Sequence, residues 1–223
     1  MTGRVVGDWM RLFEVNIGRA VPLLTDLDRA IGDGDHGVNI YRGIQSVVAK
    51  LAELKSPDLF SQLRTISGAL TSSIGGASGP LYGAFFLHGA EAVLYKSEIA
   101  LPDLILLAEA GCQGVVKLGK AAVGDKTMVD TLHAAVVSLR ESGHRRDSLP
   151  DAVTTCALAA RAAAEGTKPM IARKGRASYL GERSAGHQDP GATSAQLLFE
   201  SLADAVALSV VPSAPNSNLS LSP

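Results

Sequence analysis

The sequence predicts an all-α fold on three grounds. Apolar residues recur at helical spacing, as in Ile40, Ile44, Val47, Val48, Leu51 and Leu54, which share one helix face. Helix-start signals precede several such stretches. No stretch combines period-two alternation with β-branched enrichment and hairpin turn residues, so no strand is expected.

In chain order, helices are expected near 3–20 and 21–31, and the Ile40–Leu54 stripe sets a third near 38–55. Ser56-Pro57 pairs an N-cap with proline at the first helical position and opens a helix near 57–73. Another is expected near 79–97, after a run of small residues. Leu104, Leu107, Ala108, Gly111, Cys112 and Val115 repeat the apolar stripe within 102–119. Thr127-x-x-Asp130 and Ser148-x-x-Asp151 have capping-box form, with Asp in place of Glu, and open helices near 127–142 and 149–166. The small residues of 159–164 permit close packing around a shared axis. Residues 167–189 are polar and aperiodic, and a loop that long is usually functional or mobile. Asp189-Pro190 opens the last helix, near 190–209, whose face carries Leu198, Leu202, Ala205 and Val206. No Pro/Ser-rich linker divides the chain, so residues 1–211 are expected to form one domain and 212–223 a disordered Ser/Pro-rich tail.

Composition narrows the function. A net charge of −1 argues against nonspecific nucleic-acid or membrane-surface binding, and 4% aromatics offer no stacking platform for single strands. Cys112 and Cys156 lie in apolar helical patterns and read as buried thiols of a reducing compartment. No apolar run approaches 18 residues and no signal core follows a basic start, so a cytoplasmic location is expected.

The chemistry concentrates at Asp28, Asp33 and Asp35, three carboxylates within eight residues and set among Gly32, Gly34 and Gly37. Such a cluster needs a counter-charge, and hard oxygen ligands suit Mg²⁺, which commonly keeps phosphates as its other ligands. A capping cluster for the following helix is the bland alternative. An EF-hand reading fails, because Gly37 and Asn39 break its order and no Glu holds the twelfth position. His36, beside two aspartates, is the one histidine singled out. Gly75-Gly76-Ala77-Ser78-Gly79-Pro80 precedes an apolar helix and can bring backbone N–H groups to an anion. Gly114 to Ala121 imitates a Walker A loop, but Ala121 replaces the Mg²⁺-binding hydroxyl and no strand precedes it. The basic stretch Arg173-Lys174-Gly175-Arg176 can neutralise a phosphate or remain a solvated loop, and Asp189 can act as a cap alone.

Taken together, Asp33-Gly34-Asp35-His36-Gly37, Gly75 to Pro80, Gly124-Asp125-Lys126-Thr127, Arg173 to Ser184 and Gly186 to Gly191 resemble, in order, the L subunit of dihydroxyacetone kinase. The resemblance runs from about Asp28 to Thr193. It implies a barrel of about eight antiparallel helices with a nucleotide at one end. It implies two Mg²⁺ held by Asp28, Asp33 and Asp35, bridging the phosphates of ADP or ATP. His36, Gly37, Val38, Asn39, Ala77 and Ser78 would line those phosphates, with Gly119 and Met128 near the base. Arg176, as an electrostatic stabiliser, and Asp189, Pro190 and Gly191 would close over the nucleotide. No covalent protein nucleophile is required. The implied partners are a K subunit carrying dihydroxyacetone and a phosphotransferase-system phosphodonor subunit. The alternatives are exchangeable ATP, another acceptor (a ketose or a fatty acid), or a nucleotide-state sensor binding a transcription regulator.

Overall fold

The computed structural model describes residues 1–55 and 58–210. Its helices are α1 (Gly3–Ile31), α2 (His36–Glu53), α3 (Leu59–Ser73), α4 (Ser78–Ala92), α5 (Leu101–Gly119), α6 (Met128–Arg145), α7 (Leu149–Gly166) and α8 (Pro190–Val210). A 3₁₀ helix, Arg176–Ser184, interrupts the long α7–α8 connection. No strand occurs among the described residues.

The two helices expected over 3–20 and 21–31 are one. Pro22 lies inside α1, where an internal proline costs about 3 kcal/mol. Both halves nevertheless bury the same stripe, with Met10, Phe13 and Ile17 before the proline and Leu24 and Ile31 after it. A fully buried side chain of this size contributes about 1.5–3 kcal/mol, so the shared stripe holds the helix straight through. The Ser56-Pro57 start and the 212–223 tail lie outside the described residues. α3 is capped by Asp58, whose carboxylate accepts from Ser61 N at 2.8 Å. α4 stops at Ala92, five residues short of the expected 97. Val93 and Ile99 turn into the core there, and Ile99 N donates to Met1 O at 2.8 Å, pinning the α4–α5 connection to the start of the chain.

The caps carry out the expected chemistry to different degrees. Thr127 Oγ1 accepts from Val129 N while Asp130 accepts from Thr127 N, so Asp completes the box in place of Glu. At α7 only half forms, because the Asp151 carboxylate takes the Ser148 hydroxyl at 2.6 Å instead of a backbone N–H.

Each helix packs on its successor and α8 packs back on α1, closing a ring. Two bonds lock the seam: Trp9 Nε1 donates to Leu198 O at 2.8 Å and Asn16 Nδ2 to Ser201 Oγ at 3.0 Å. Aromatic residues are few, but Trp9, Phe13, Tyr82, Phe85, Phe86 and Phe199 are all buried together along the ring interior. Trp9 and Phe86 lie 5.5 Å apart, and Phe85 meets Phe199 edge-on at 6.4 Å. Close helix approach depends on small residues. A Cβ at Gly83 would sit 2.0 Å from Thr71 Oγ1, and one at Gly111 would sit 2.8 Å from the Phe85 carbonyl. Both thiols are buried, and burial pushes both up. No helix among the described residues is long and apolar enough to cross a membrane.

Residues of the α1–α2, α3–α4, α5–α6 and α7–α8 connections line one common cavity, so these connections share one end of the ring. All four even-numbered helices begin there.

Candidate functional site

That end holds a cavity of about 470 Å³, lined by residues from all four connections. One wall is acidic. Asp28 lies in the last turn of α1, and Asp33 and Asp35 lie in the turn that follows; oxygens of all three fall within 4.8 Å of one another. Gly34 makes that turn, with φ at 78°, a left-handed conformation that other residues rarely hold. Asp28 has a second task. It is buried, and its Oδ2 accepts from Asp35 N at 2.8 Å and His36 N at 3.1 Å, fixing the start of α2. Asp33 and Asp35 are exposed to the cavity mouth.

Basic residues Lys174 and Arg176 also line the cavity. Arg176, at the start of the 3₁₀ helix, forms an ion pair with Asp33 and ties the long loop to the acidic wall. Arg173 N donates to Asp125 O at 3.1 Å, joining the same loop to the α5–α6 connection. Leu81, Val115, Leu118 and Met128 form an apolar flank. The first turns of α2, α4, α6 and α8 supply His36, Ser78, Met128 and Gly191. Helix starts present free N–H groups and partial positive charge, which suits an anion.

Of the expected contact residues, Asp28, Asp33, Asp35, His36, Asn39, Ala77, Ser78, Gly119, Met128, Arg176, Asp189, Pro190 and Gly191 all line this cavity. Gly37 and Val38 do not. Gly37 packs on α1, where a Cβ would meet Val21 O at 2.5 Å, and Val38 points outward, 54% exposed. One turn of helix carries these two around to the faces away from the cavity. The expected Walker decoy is helical over Gly114 to Gly119, the end of α5, which is capped by left-handed Lys120 at φ 50°.

His36 is buried, and burial lowers its pKa against the opposing pull of Asp28 and Asp35, favouring the neutral ring. Asp189 caps α8 by accepting from Ala192 N at 2.7 Å. Burial pushes its carboxyl up to about 7, while the Ala192 bond and the Lys126 charge pull the other way. The folded chain thus holds a proton there that the unfolded chain releases near its ordinary pKa of 3.8. Stability should fall as pH rises from about 4 to about 7 and level off above that. Asp189→Asn keeps the capping oxygen and should flatten this slope, read from urea midpoints across that range.

Sequence reasoning named Lys126 only as part of the Gly124–Thr127 run and gave it no role. It is fully buried in a left-handed conformation, and its Nζ donates to the carbonyls of Thr167, Met170 and Ser184 at 3.0, 3.1 and 2.8 Å, and to that of His187. One ammonium gathers both ends of the long loop. The Lys before a Thr cap carries no such signal locally, because its partners lie 41 to 61 residues away.

The chain matches the DAK2 domain family over residues 30–204. It is 48% identical over 180 residues to the ADP-binding subunit DhaL of the PEP-dependent dihydroxyacetone kinase of Escherichia coli K12, covering 81% of this chain and 86% of that one. It is 42% identical over 194 residues to the corresponding subunit of kinase 1 of Listeria innocua, covering 87% and 92%. The human triokinase/FMN cyclase is 37% identical over 180 residues, 80% of this chain but 31% of that longer one. The crystal structure of the dihydroxyacetone kinase of C. freundii in complex with AMP-PNP and Mg²⁺ superposes with a TM-score of 0.70 at 25% identity, over 92% of this chain and 34% of that one. With its family match spanning most of the ring and every one of the four connections at the cavity end, the chain belongs to the DAK2 domain family.

Proposed function

We propose that this chain is the nucleotide-carrying subunit of a dihydroxyacetone kinase. The observation that carries the reading is the cavity itself, lined by three clustered carboxylates, by Arg176 paired to Asp33 and by four helix starts. An all-oxygen donor set fits Mg²⁺, and Asp28, Asp33 and Asp35 would hold two ions. When bound, the metal neutralises phosphate charge and aligns the transferred group. The chain's own residues do the rest. Asp28 fixes the α1–α2 turn so that the carboxylates converge. The helix starts and Ser78 take the phosphates, and Leu81, Val115, Leu118 and Met128 flank the base. Arg176, paired with Asp33 here, is the guanidinium at the cavity that would meet phosphate oxygens.

In this reading the acceptor, dihydroxyacetone, sits on a separate K subunit, and ADP is recharged in place by a phosphotransferase-system phosphodonor in the cytoplasm. The test is direct. The purified chain is denatured and its released small molecules and metals are measured. Retained ADP with about two Mg²⁺ per chain is expected. A chain that neither retains nor binds nucleotide in Mg²⁺ would refute the reading. Phosphoryl transfer with a K subunit, supplied either with the phosphodonor or with free ATP, then decides between recharging and exchange.

A further inference from the structure

We propose that Tyr82 and Ser194 are positioning residues that set the tautomer of His36 and so make the Ser78 hydroxyl a donor toward an anion in the cavity. This rests on the nucleotide reading above, since the anion is a polyphosphate. Four side chains from α2, α4 and α8 form a continuous chain of contacts. Tyr82 Oη lies 2.8 Å from Ser194 Oγ, Ser194 Oγ 2.9 Å from His36 Nε2, and His36 Nδ1 3.3 Å from Ser78 Oγ. Tyr82 and Ser194 are fully buried and sit behind the cavity wall; only His36 and Ser78 reach it.

Counting protons leaves two arrangements. Burial keeps the Tyr82 phenol protonated, and Ser194 Oγ is its hydrogen-bond partner, so Tyr82 donates to Ser194. The Ser194 proton then goes either to His36 Nε2 or to Gly191 O, 3.1 Å away. In the first arrangement His36 carries its proton on Nδ1 and donates it to Ser78 Oγ, which leaves the Ser78 proton free for the cavity. In the second, His36 donates from Nε2 to Ser194, and Ser78 must donate back to Nδ1. The cavity then meets only lone pairs at Ser78. A phosphate oxygen is an acceptor alone, so only the first arrangement suits it.

Tyr82 biases the choice. With its donation in place, Ser194 Oγ has an incoming proton whichever way His36 is protonated. Without it, Ser194 Oγ receives a proton only in the second arrangement, and a buried hydroxyl left without one is costly. Tyr82→Phe keeps the ring and its packing but tips His36 toward the tautomer that turns Ser78 away from phosphate.

The experiment measures Mg-ADP dissociation constants by equilibrium dialysis for wild type, Tyr82→Phe, Ser78→Ala and the double variant. The imidazole nitrogens are followed by NMR in parallel. Tyr82→Phe and Ser78→Ala should each weaken ADP by about tenfold, and the double variant should be no weaker than Ser78→Ala alone. In the ADP-bound wild type His36 should carry its proton on Nδ1, moving to Nε2 in Tyr82→Phe. Wild-type affinity in Tyr82→Phe, losses that multiply in the double variant, or an Nε2 proton in ADP-bound wild type would each overturn the proposal. The wild-type spectrum decides the tautomer even if a variant fails to fold. Asp33→Ala separates the two levels: unchanged Mg-ADP binding there defeats the nucleotide reading itself. Loss there with a silent Tyr82→Phe defeats only the relay.

Discussion

Asp33→Ala or Asp35→Ala should weaken Mg-ADP binding by on the order of 10²–10³-fold while leaving the fold intact. A unit charge pair at 4 Å in a partly solvated site is worth about 4 kcal/mol, so losing one carboxylate from a cation site reaches this scale. The folded state should not suffer, because both side chains are exposed and repel their neighbours when no cation is bound. Asp33→Ala also frees Arg176 from its ion pair, an exposed contact worth about 1 kcal/mol at most. Asp28 behaves differently. It accepts two backbone N–H groups in a buried position, so Asp28→Ala should lower both affinity and stability. Isothermal titration with Mg-ADP beside thermal melts distinguishes the two classes. An Asp33→Ala chain that melts far below wild type would refute the division of labour.

Lys126→Met should be the most destabilising single change near the site. Methionine fills much of the same space but leaves the carbonyls of Thr167, Met170, Ser184 and His187 without their donor, with the Thr167 and Ser184 contacts fully buried. An unsatisfied buried polar group costs about 1–3 kcal/mol, so the loss should be at least on the order of 3 kcal/mol. For a chain of this size that corresponds to a Tm about 10 °C lower. The damage should be local first. The loop carrying Arg173, Lys174 and Arg176 loses its anchor, so trypsin should cut there before the ring unfolds. Asp189 loses its compensating cation as well, which pushes its carboxyl further up. Wild-type resistance to trypsin together with an unchanged Tm would show that the ammonium is not the anchor.

Helix identity was legible because each apolar stripe is local, and three capping signals at Thr127, Ser148 and Asp189 fall where helices begin. The proline in α1 misled because its cost is local whereas the burial that overrides it comes from neighbouring helices. The acidic wall could be read from spacing, since Asp28 and the Gly34 turn are sequence neighbours. Gly37 and Val38 could not, because the rotation of α2 about its axis is set by packing against α1. Lys126, Tyr82 and Ser194 escaped for a related reason. Their partners are brought together only when α4, the α7–α8 loop and α8 converge at one end.

The alternation of the ring fixes where chemistry is confined and where the chain is free to be altered. α1 begins, and α8 finishes, at the end away from the cavity. A second domain can therefore be joined covalently at either side of this unit without shadowing the cavity. The triokinase relatives, of which the matched region is about a third, are longer chains compatible with that geometry. The same layout recommends the α6–α7 connection, Arg146 to Ser148, as a place to open a circular permutant that keeps the cavity end whole.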